Sequence, residues 1–444
     1  MKDWWHRFLF AWRDADSLNL FRALFCLNLT YRTLHFALNI ETNYARMNWY
    51  AIPTFEWLGL GMLPETAAKW VAGITIAAIL FAALGLWTRL SLTIGWIGYY
   101  LFIGTMLSFT KLPDSNYVYH SENIAVFVLL VLSISPAIDR WGLSAWWANR
   151  RQWKPHPGRG DLIHQWPYQT IKALLVIAYF GAGWCKVVEV GFLWADGYSM
   201  QGFLLEKFLL HDNSIGLWLA HYYWLCLILG ILTLILELTF PIILFYPRLS
   251  WIYLTMGFSL HLGIYFAMSI SFFKVFVTVY LIFLNLPKIY QFLGKTWHQP
   301  GKREQGGVQL GRWVFSVVAV VMTACVFFRV EAWPFTDYRV FTYRSSAEQI
   351  TVLRIAGEDA LGRQTWLTQE ELANQKTALN KRLRKPVMGK DSEGVVAILD
   401  KVASNLPQAS RSRYRKLAVV MRKIQKNNRG NFVALDAVIL RYDL

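Results

Sequence analysis

Long apolar runs constrain this chain more than any other feature. Its 444 residues are 55% hydrophobic, and several runs of about 18 to 22 apolar residues have the length that a helix needs to cross a hydrocarbon core. Only 16% of the residues are charged, against roughly 25% in an ordinary soluble protein. The sequence therefore predicts an all-α polytopic membrane protein in contact with membrane lipid.

Hydropathy predicts about nine transmembrane helices. They lie near residues 17–38, 67–87, 90–110, 121–138, 169–187, 221–246, 250–268, 270–288 and 311–329. Only Ser269 separates the seventh from the eighth, which predicts a tight helical hairpin. We divide the chain into a transmembrane bundle over 1–290, a basic linker with the last transmembrane helix over 291–330, and an extra-membrane domain over 331–444.

The last 114 residues have the pattern of a small soluble domain. Alternating apolar and polar residues predict strands over 338–343, 349–355 and 432–442. Helical patterns cover 369–384, 393–405 and 411–425. We therefore expect a C-terminal α+β domain.

The distribution of basic residues predicts an orientation. Lys and Arg cluster in the loops 139–168 and 289–310 and at the N-terminus, which the positive-inside rule places in the cytoplasm. Nine spans then put the C-terminal domain outside, because long domains cross the membrane largely regardless of charge. The net charge of +17 indicates anionic headgroups and this loop bias, not a nucleic-acid partner.

Lys186, His261 and Glu237 stand out among the ionisable residues in or beside predicted spans. Lys186 follows an apolar run, and an ammonium there snorkels to headgroups, pairs or takes part in chemistry. A lysine removed from water can lose its proton, and the neutral amine is a base. His261, in span seven, is a candidate site residue or a hydrogen-bonding link between helices.

Glu237 lies deep in span six and is predicted to be a structural intramembrane polar residue. A carboxyl at this depth is either protonated or paired. Arg22 and Arg32, in span one, are candidate partners.

Two stretches carry a resemblance to a known family. One is Tyr179-Phe-Gly-Ala-Gly-Trp-Cys-Lys186, followed by Asp196-Gly-Tyr-Ser-Met200, and the other is His120-Ser121 at the start of span four. This arrangement resembles the HTTM (horizontally transferred transmembrane) domain, and within it the vitamin K-dependent γ-glutamyl carboxylases. Covering roughly residues 15–290, the resemblance implies a bacterial cytoplasmic-membrane protein with a pocket open toward lipid and the outer face.

The resemblance also implies an enzyme. Lys186 would be the general base acting on a reduced quinone (vitamin K hydroquinone or a menaquinol-like molecule). O2 and CO2 would be the co-substrates that convert glutamyl residues of a secreted peptide or protein. By the same resemblance His120 and His261 are catalytic, and the substrate-binding residues are Tyr119, Tyr179 and Tyr198.

An alternative is a non-enzymatic maturation or export factor for a secreted peptide, in which the lysine and histidines hold helices together. No metal is predicted, since the four cysteines lie in apolar segments without the spacing of a metal site. The substrate, the particular quinone and the oligomeric state stay open at this point.

Overall fold

A computed structural model describes most of the chain. The described residues are 2–46, 48–111, 122–136, 138, 142–144, 147, 162–272, 275–294, 307–345, 350–368, 371–372, 376–427 and 431–444.

The first three quarters of the chain are helical. The helices are α1 (Lys2–Phe10), α2 (Ala15–Ala37), α3 (Ile40–Arg46), α4 (Pro53–Trp57), α5 (Glu65–Leu84), α6 (Thr88–Ser108), α7 (Asn123–Ile134), α8 (Trp166–Val190), α9 (Tyr198–His211), α10 (Ser214–Ala220), α11 (Tyr223–Thr239), α12 (Ile242–Phe245), α13 (Ser250–Met268), α14 (Leu286–Phe292) and α15 (Val308–Phe328). Two antiparallel strands, β1 (Trp12–Asp14) and β2 (Leu162–His164), join the first helices to the start of α8.

Five helices in the described ranges are long and apolar enough to cross a membrane. They are α5, α6, α8 with the 3-10 turn that extends it to Ala195, α13 with the turn before it, and α15. Helices α10 and α11 make a sixth if they are taken as one span bent by 99°. The expected nine spans are therefore not confirmed. The predicted position of the C-terminal domain outside the membrane depended on nine spans, so it stays a prediction.

Two of the predicted spans form helices that miss these criteria. Helix α2 has 23 residues but buries Arg22 and Arg32 along its length. Helix α7 has only 12 residues, fewer than the roughly 17 that a span needs.

The predicted hairpin of two long helices around residue 269 is wrong. Helix α13 ends at Met268, and the residue that caps it, Ser269, has a left-handed φ of 57°. Part of the predicted eighth span is instead a 3-10 helix over Val277–Phe283. Asn285 then caps α14, and Pro287 lies in its first turn. Both residues favour the start of a helix, so a helix boundary falls inside the predicted span.

In its described residues, the C-terminal domain combines a four-stranded sheet with three helices. The strands β5 (Thr351–Glu358), β6 (Gln364–Trp366), β7 (Lys416–Lys426) and β8 (Phe432–Asp443) form an antiparallel sheet in the order β6-β5-β7-β8; two short strands, β3 (Glu331–Ala332) and β4 (Phe335–Thr336), pair before it. The helices are α16 (Lys376–Met388), α17 (Ser392–Asn405) and α18 (Gln408–Arg413). The expected small α+β region is thus confirmed.

Two predictions within this domain are wrong. The helix expected over 411–425 is mostly β7. The buried run 417–420 belongs to a central strand, and the basic residues around it resemble the polar face of a helix. The segment 338–343 is not a strand, since Tyr338 and Phe341 have left-handed φ values of 59° and 54° that break an extended backbone.

The sheet docks onto the end of α9. Arg354 of β5 and Arg422 of β7 donate to the Asp212 carboxylate at 2.7 and 2.6 Å, and both also donate to the carbonyl oxygen of Leu209. The Trp366 ring covers both guanidinium groups. Helix α9 is therefore held by the C-terminal sheet at its last turn.

Candidate active site

Lys186 and Glu237 form a buried ion pair. Lys186 Nζ donates to Glu237 Oε1 and Oε2 at 2.9 and 2.8 Å and lies 3.3 Å from the carbonyl oxygen of Ala182. The lysine side chain is only 2% exposed, and α8 continues past it to Val190. The interpretation of Lys186 as a headgroup anchor is therefore wrong, because its ammonium lies inside the protein beside a carboxylate.

A glycine brings the two helices close enough for this pair. A Cβ at Gly183 would lie 2.8 Å from Glu237 Cβ and 3.1 Å from the Leu238 backbone nitrogen. Real Cβ atoms do not approach that closely, so any side chain here would push α8 away from α11. Lys186 lies almost one turn further along α8 and reaches Glu237 from there.

The partner of Glu237 is Lys186 and neither of the two arginines suggested by the sequence. Arg32 instead pairs with Glu122 at 2.8 Å, and Arg22 donates to Thr88 Oγ1 at 3.3 Å. The charges of α2 thus connect it to α6 and to the start of α7, away from the site.

His261 belongs to a second polar group. Its Nε2 and the Tyr179 hydroxyl share a hydrogen bond of 2.9 Å, and the Tyr179 hydroxyl also bonds that of Tyr280. His261 Nδ1 is buried and has no hydrogen-bond partner among the described residues. Glycine at position 257 makes room for this hydrogen-bonded group, because a Cβ at Gly257 would lie 2.6 Å from the Tyr179 hydroxyl oxygen.

Both polar groups line one cavity of about 400 Å³. Lys186, Glu237, Tyr179 and His261 contribute to its wall, and most of the remaining lining is aliphatic or aromatic. A few polar groups on an otherwise apolar wall are typical of a small-molecule site of this size. The structure therefore brings Lys186, His261 and Tyr179 together around a space that can hold a ligand.

Helix α9 forms another part of the wall through Met200, Phe203 and Leu204. Asp196 begins this helix by accepting hydrogen bonds from the backbone nitrogens of the next two helical residues. Gly197 has a φ of 83° and no room for a Cβ, so the turn requires glycine.

The structure describes only one of the other three predicted site residues, Tyr198, and places it outside the cavity wall. Tyr198 is 49% exposed and packs on Tyr223 at 4.9 Å, and it is absent from the cavity wall. Tyr119 and His120 lie outside the described residues. The roles predicted for these three residues stay predictions.

No group of His, Cys, Asp or Glu that could hold a metal ion is found in the described ranges. The four cysteines are buried and free, and the Sγ of Cys185 donates to the carbonyl oxygen of Asp337 at 3.4 Å. A small ligand bound in the cavity would therefore meet an amine, a carboxyl, an imidazole and phenols.

Sequence reasoning missed three contributors to the site. Tyr280 lies in the segment mistaken for a long helix. Tyr338 and Phe341 come from beyond the last span, and Trp194 Nε1 donates to the Phe341 carbonyl oxygen at 2.6 Å. Of the contacts in the site, only the pairing of Lys186 with Glu237 could have been predicted from the sequence, because opposite charges in neighbouring spans tend to meet.

The fold and the site define an integral membrane protein with a buried ion pair in the wall of an apolar cavity. The family comparison agrees: the model of the HTTM domain matches residues 10–297, so the chain belongs to the HTTM domain family. No match was found among curated proteins or among solved structures.

Proposed function

We propose that the protein is an enzyme of the γ-glutamyl carboxylase type, in which Lys186 accepts a proton from a reduced quinone. Its co-substrates would be O2 and CO2, and its product a modified glutamyl residue of a peptide or protein at the outer membrane face. The observation that supports this most is the position of the Lys186–Glu237 pair in the wall of an apolar cavity. A purely structural pair would need no cavity beside it.

The cavity suits a quinone. A ring with two hydroxyl groups needs an apolar space and a few hydrogen-bonding groups at its edges. Lys186 and the His261–Tyr179 pair provide such groups. The Nδ1 of His261, a buried atom to which the described residues offer no hydrogen bond, is one that a ligand hydroxyl would satisfy. Aromatic and aliphatic side chains such as Phe203, Leu236 and Phe276 would cover the ring.

The ion pair provides a route to a neutral amine. The pair has two forms, ammonium with carboxylate and amine with carboxylic acid. They contain the same number of protons and differ only by the transfer of one proton across 2.8 Å. In the second form, Lys186 Nζ has a lone pair and can accept a proton from a hydroxyl group. The pair then carries a net positive charge, and this charge stabilises the negative charge left where the proton was removed.

On a bound reduced quinone, O2 would take up four electrons, two from the hydroquinone and two from the ring double bond, so that one oxygen atom would enter the quinone epoxide and the other would leave as water. CO2 would replace the γ-proton of a glutamyl residue, and that proton would be released. The protein's own part is to hold the proton at Lys186, orient the ring and keep water out. His261 would help to orient the ring by a hydrogen bond at Nδ1, because its Nε2 already bonds the Tyr179 hydroxyl.

One observation favours the alternative, a non-enzymatic maturation or export factor. The same ion pair joins α8 to α11. Fixing how two helices pack is by itself a sufficient role for a buried ion pair. Under this hypothesis, Lys186 would be needed for folding and would have no role in chemistry.

An assay on the intact protein separates the two hypotheses. Purified protein in nanodiscs would receive reduced menaquinone or vitamin K, O2, labelled bicarbonate and a Glu-rich peptide, and wild type would be compared with Lys186→Ala. We expect epoxide from wild type and none from the variant, with or without label in the peptide. Wild type that forms no epoxide from either quinone would support the maturation factor.

A further inference from the structure

Two basic side chains lie against the same stretch of backbone at the start of α8, away from the cavity. Arg13 of β1 donates from Nη2 to the carbonyl oxygen of Leu284 at 2.9 Å. Lys172 of α8 places its Nζ 4.7 Å from the centre of the Phe283 ring. The Arg13 guanidinium also covers the ring of Tyr168 at 3.7 Å, and Tyr168 lies one helical turn before Lys172 on the same face of α8. The fold therefore brings together two positive charges that are far apart in the sequence.

No carboxylate pairs with either charge in the part of the chain that the structure describes. Within those residues Lys172 Nζ donates no hydrogen bond, and the buried Nε of Arg13 has no partner. Asp14 follows Arg13 directly, but its carboxylate caps α2 by accepting from the backbone nitrogen of Ser17 at 2.8 Å. The charge of Arg13 acts on Lys172, and like charges at short range repel each other. An anion between the two would remove this repulsion.

The two charges lie near the level of phospholipid head groups. With its 3-10 extension, α8 runs over 30 residues, which is roughly 45 Å at 1.5 Å per residue. The hydrocarbon core is only about 30 Å thick, so the end turns of α8 extend beyond it. Side chains on a helix point toward its N-terminus, which carries the Lys172 ammonium outward. Trp313, on the neighbouring α15, is 64% exposed at this end, and tryptophan is enriched at the membrane–water interface.

We infer that Arg13 and Lys172 bind the phosphate group of an anionic phospholipid. A phosphate offers several oxygens at once, so it can accept from the remaining N–H groups of the guanidinium and from the ammonium beside it. Basic pockets between membrane helices bind lipid head groups in this way. The bound phosphate would link β1, the first turns of α8 and the segment around Leu284. This site is separate from the cavity and does not depend on the proposed function.

Native mass spectrometry of the full chain, released from detergent, tests the site. The probe is dioleoyl phosphatidylglycerol, and dioleoyl phosphatidylcholine and inorganic phosphate are added in separate arms. The variants are Lys172→Gln and the double variant Arg13→Gln with Lys172→Gln. Lys172→Gln removes a charge but no hydrogen bond, so it provides a folded variant even if Arg13→Gln destabilises the protein. The matched control is Arg89→Gln with Arg248→Gln, which removes two charges from exposed positions.

We expect wild type to retain one phosphatidylglycerol molecule. Lys172→Gln should weaken its binding about fivefold and the double variant at least tenfold, because each cation near the surface contributes about that much to lipid binding. The control should leave binding unchanged, and equal losses in the two double variants would overturn the site. Equally strong retention of phosphatidylcholine would overturn the preference for an anionic lipid. Displacement of the lipid by inorganic phosphate at equal concentration would overturn phospholipid as the source of the phosphate group.

Discussion

Removal of one partner of the Lys186–Glu237 pair should destabilise the protein strongly, and removal of both should not. In Glu237→Gln the ammonium stays buried at 2% exposure. It keeps three neighbours: the side-chain amide oxygen at position 237, the Ala182 carbonyl oxygen at 3.3 Å and the Trp194 ring at 5.0 Å. An uncompensated buried charge costs about 3–5 kcal/mol. These neutral contacts return part of that cost, so we expect a loss of about 3 kcal/mol.

Lys186→Met should cost less, about 2 kcal/mol, because a carboxyl left alone can take up a proton. The double variant, Lys186→Met with Glu237→Gln, contains no buried charge and should lie within about 1 kcal/mol of wild type. The coupling energy between the two sites is then about 4 kcal/mol or above. Hydrogen bonds between membrane helices average only about 0.6 kcal/mol in such cycles, so the value identifies a charge pair.

The assay is reversible unfolding in bicelles, followed for wild type, both single variants and the double variant. Lys69 and Glu65 provide a matched pair on α5, at 2.9 Å and exposed, which should show no measurable coupling. Single effects at Lys186 and Glu237 that add to give the double effect would refute the reasoning, because independent effects mean that the two groups do not share a buried interaction.

Three further predictions concern packing, docking and pH. Gly183→Leu should separate α8 from α11 and cost about 1–3 kcal/mol in the same unfolding assay, since its Cβ would lie 2.8 Å from Glu237 Cβ. Asp212→Asn should speed amide hydrogen exchange in α9, because the carboxylate that Arg354 and Arg422 hold is lost. Burial and the nearby Asp337 raise the pKa of Glu331 from 4.5 to about 9. Between these pH values the folded state keeps a proton that the unfolded state releases, so stability should fall as pH rises, by up to about 1.4 kcal/mol per pH unit, and Glu331→Gln should flatten this slope.

Each of these has a control and a contrary outcome. Gly73→Leu, on an open helix face, should leave stability unchanged, and equal effects at both glycines would contradict the packing argument. Asp443→Asn, in an exposed pair with Lys416, should not alter exchange in α9. A stability that rises between pH 5 and 9 would contradict the assignment of the bound proton to Glu331.

The sequence predicted most of the helices because their apolar runs are long. It failed where a helix depends on something other than hydropathy. The broken segment around Asn285 and Pro287 is as apolar as a span, and α2 buries arginines that hydropathy counts as surface residues. In the C-terminal domain, β7 resembled a helix because basic residues surround its buried run.

The site was predictable in part. A lysine, a glutamate and a histidine inside predicted spans were recognised as unusual, since charged and polar groups are costly there. Their grouping was not predictable, because it depends on the close approach at Gly183 and on the path of the chain after the last span, which adds Tyr338 and Phe341 to the cavity wall. Both are tertiary features without a local pattern.

Lys186→Arg tests the central claim most directly, because arginine keeps the positive charge beside Glu237 but cannot serve as a base. Epoxide formation from a reduced quinone and unfolding stability would be measured on the same nanodisc or bicelle preparations of wild type and variant. We predict that the variant retains most of its stability and loses epoxide formation by at least a hundredfold. A stable Lys186→Arg protein that forms epoxide at the wild-type rate would contradict the role of Lys186 as the proton acceptor.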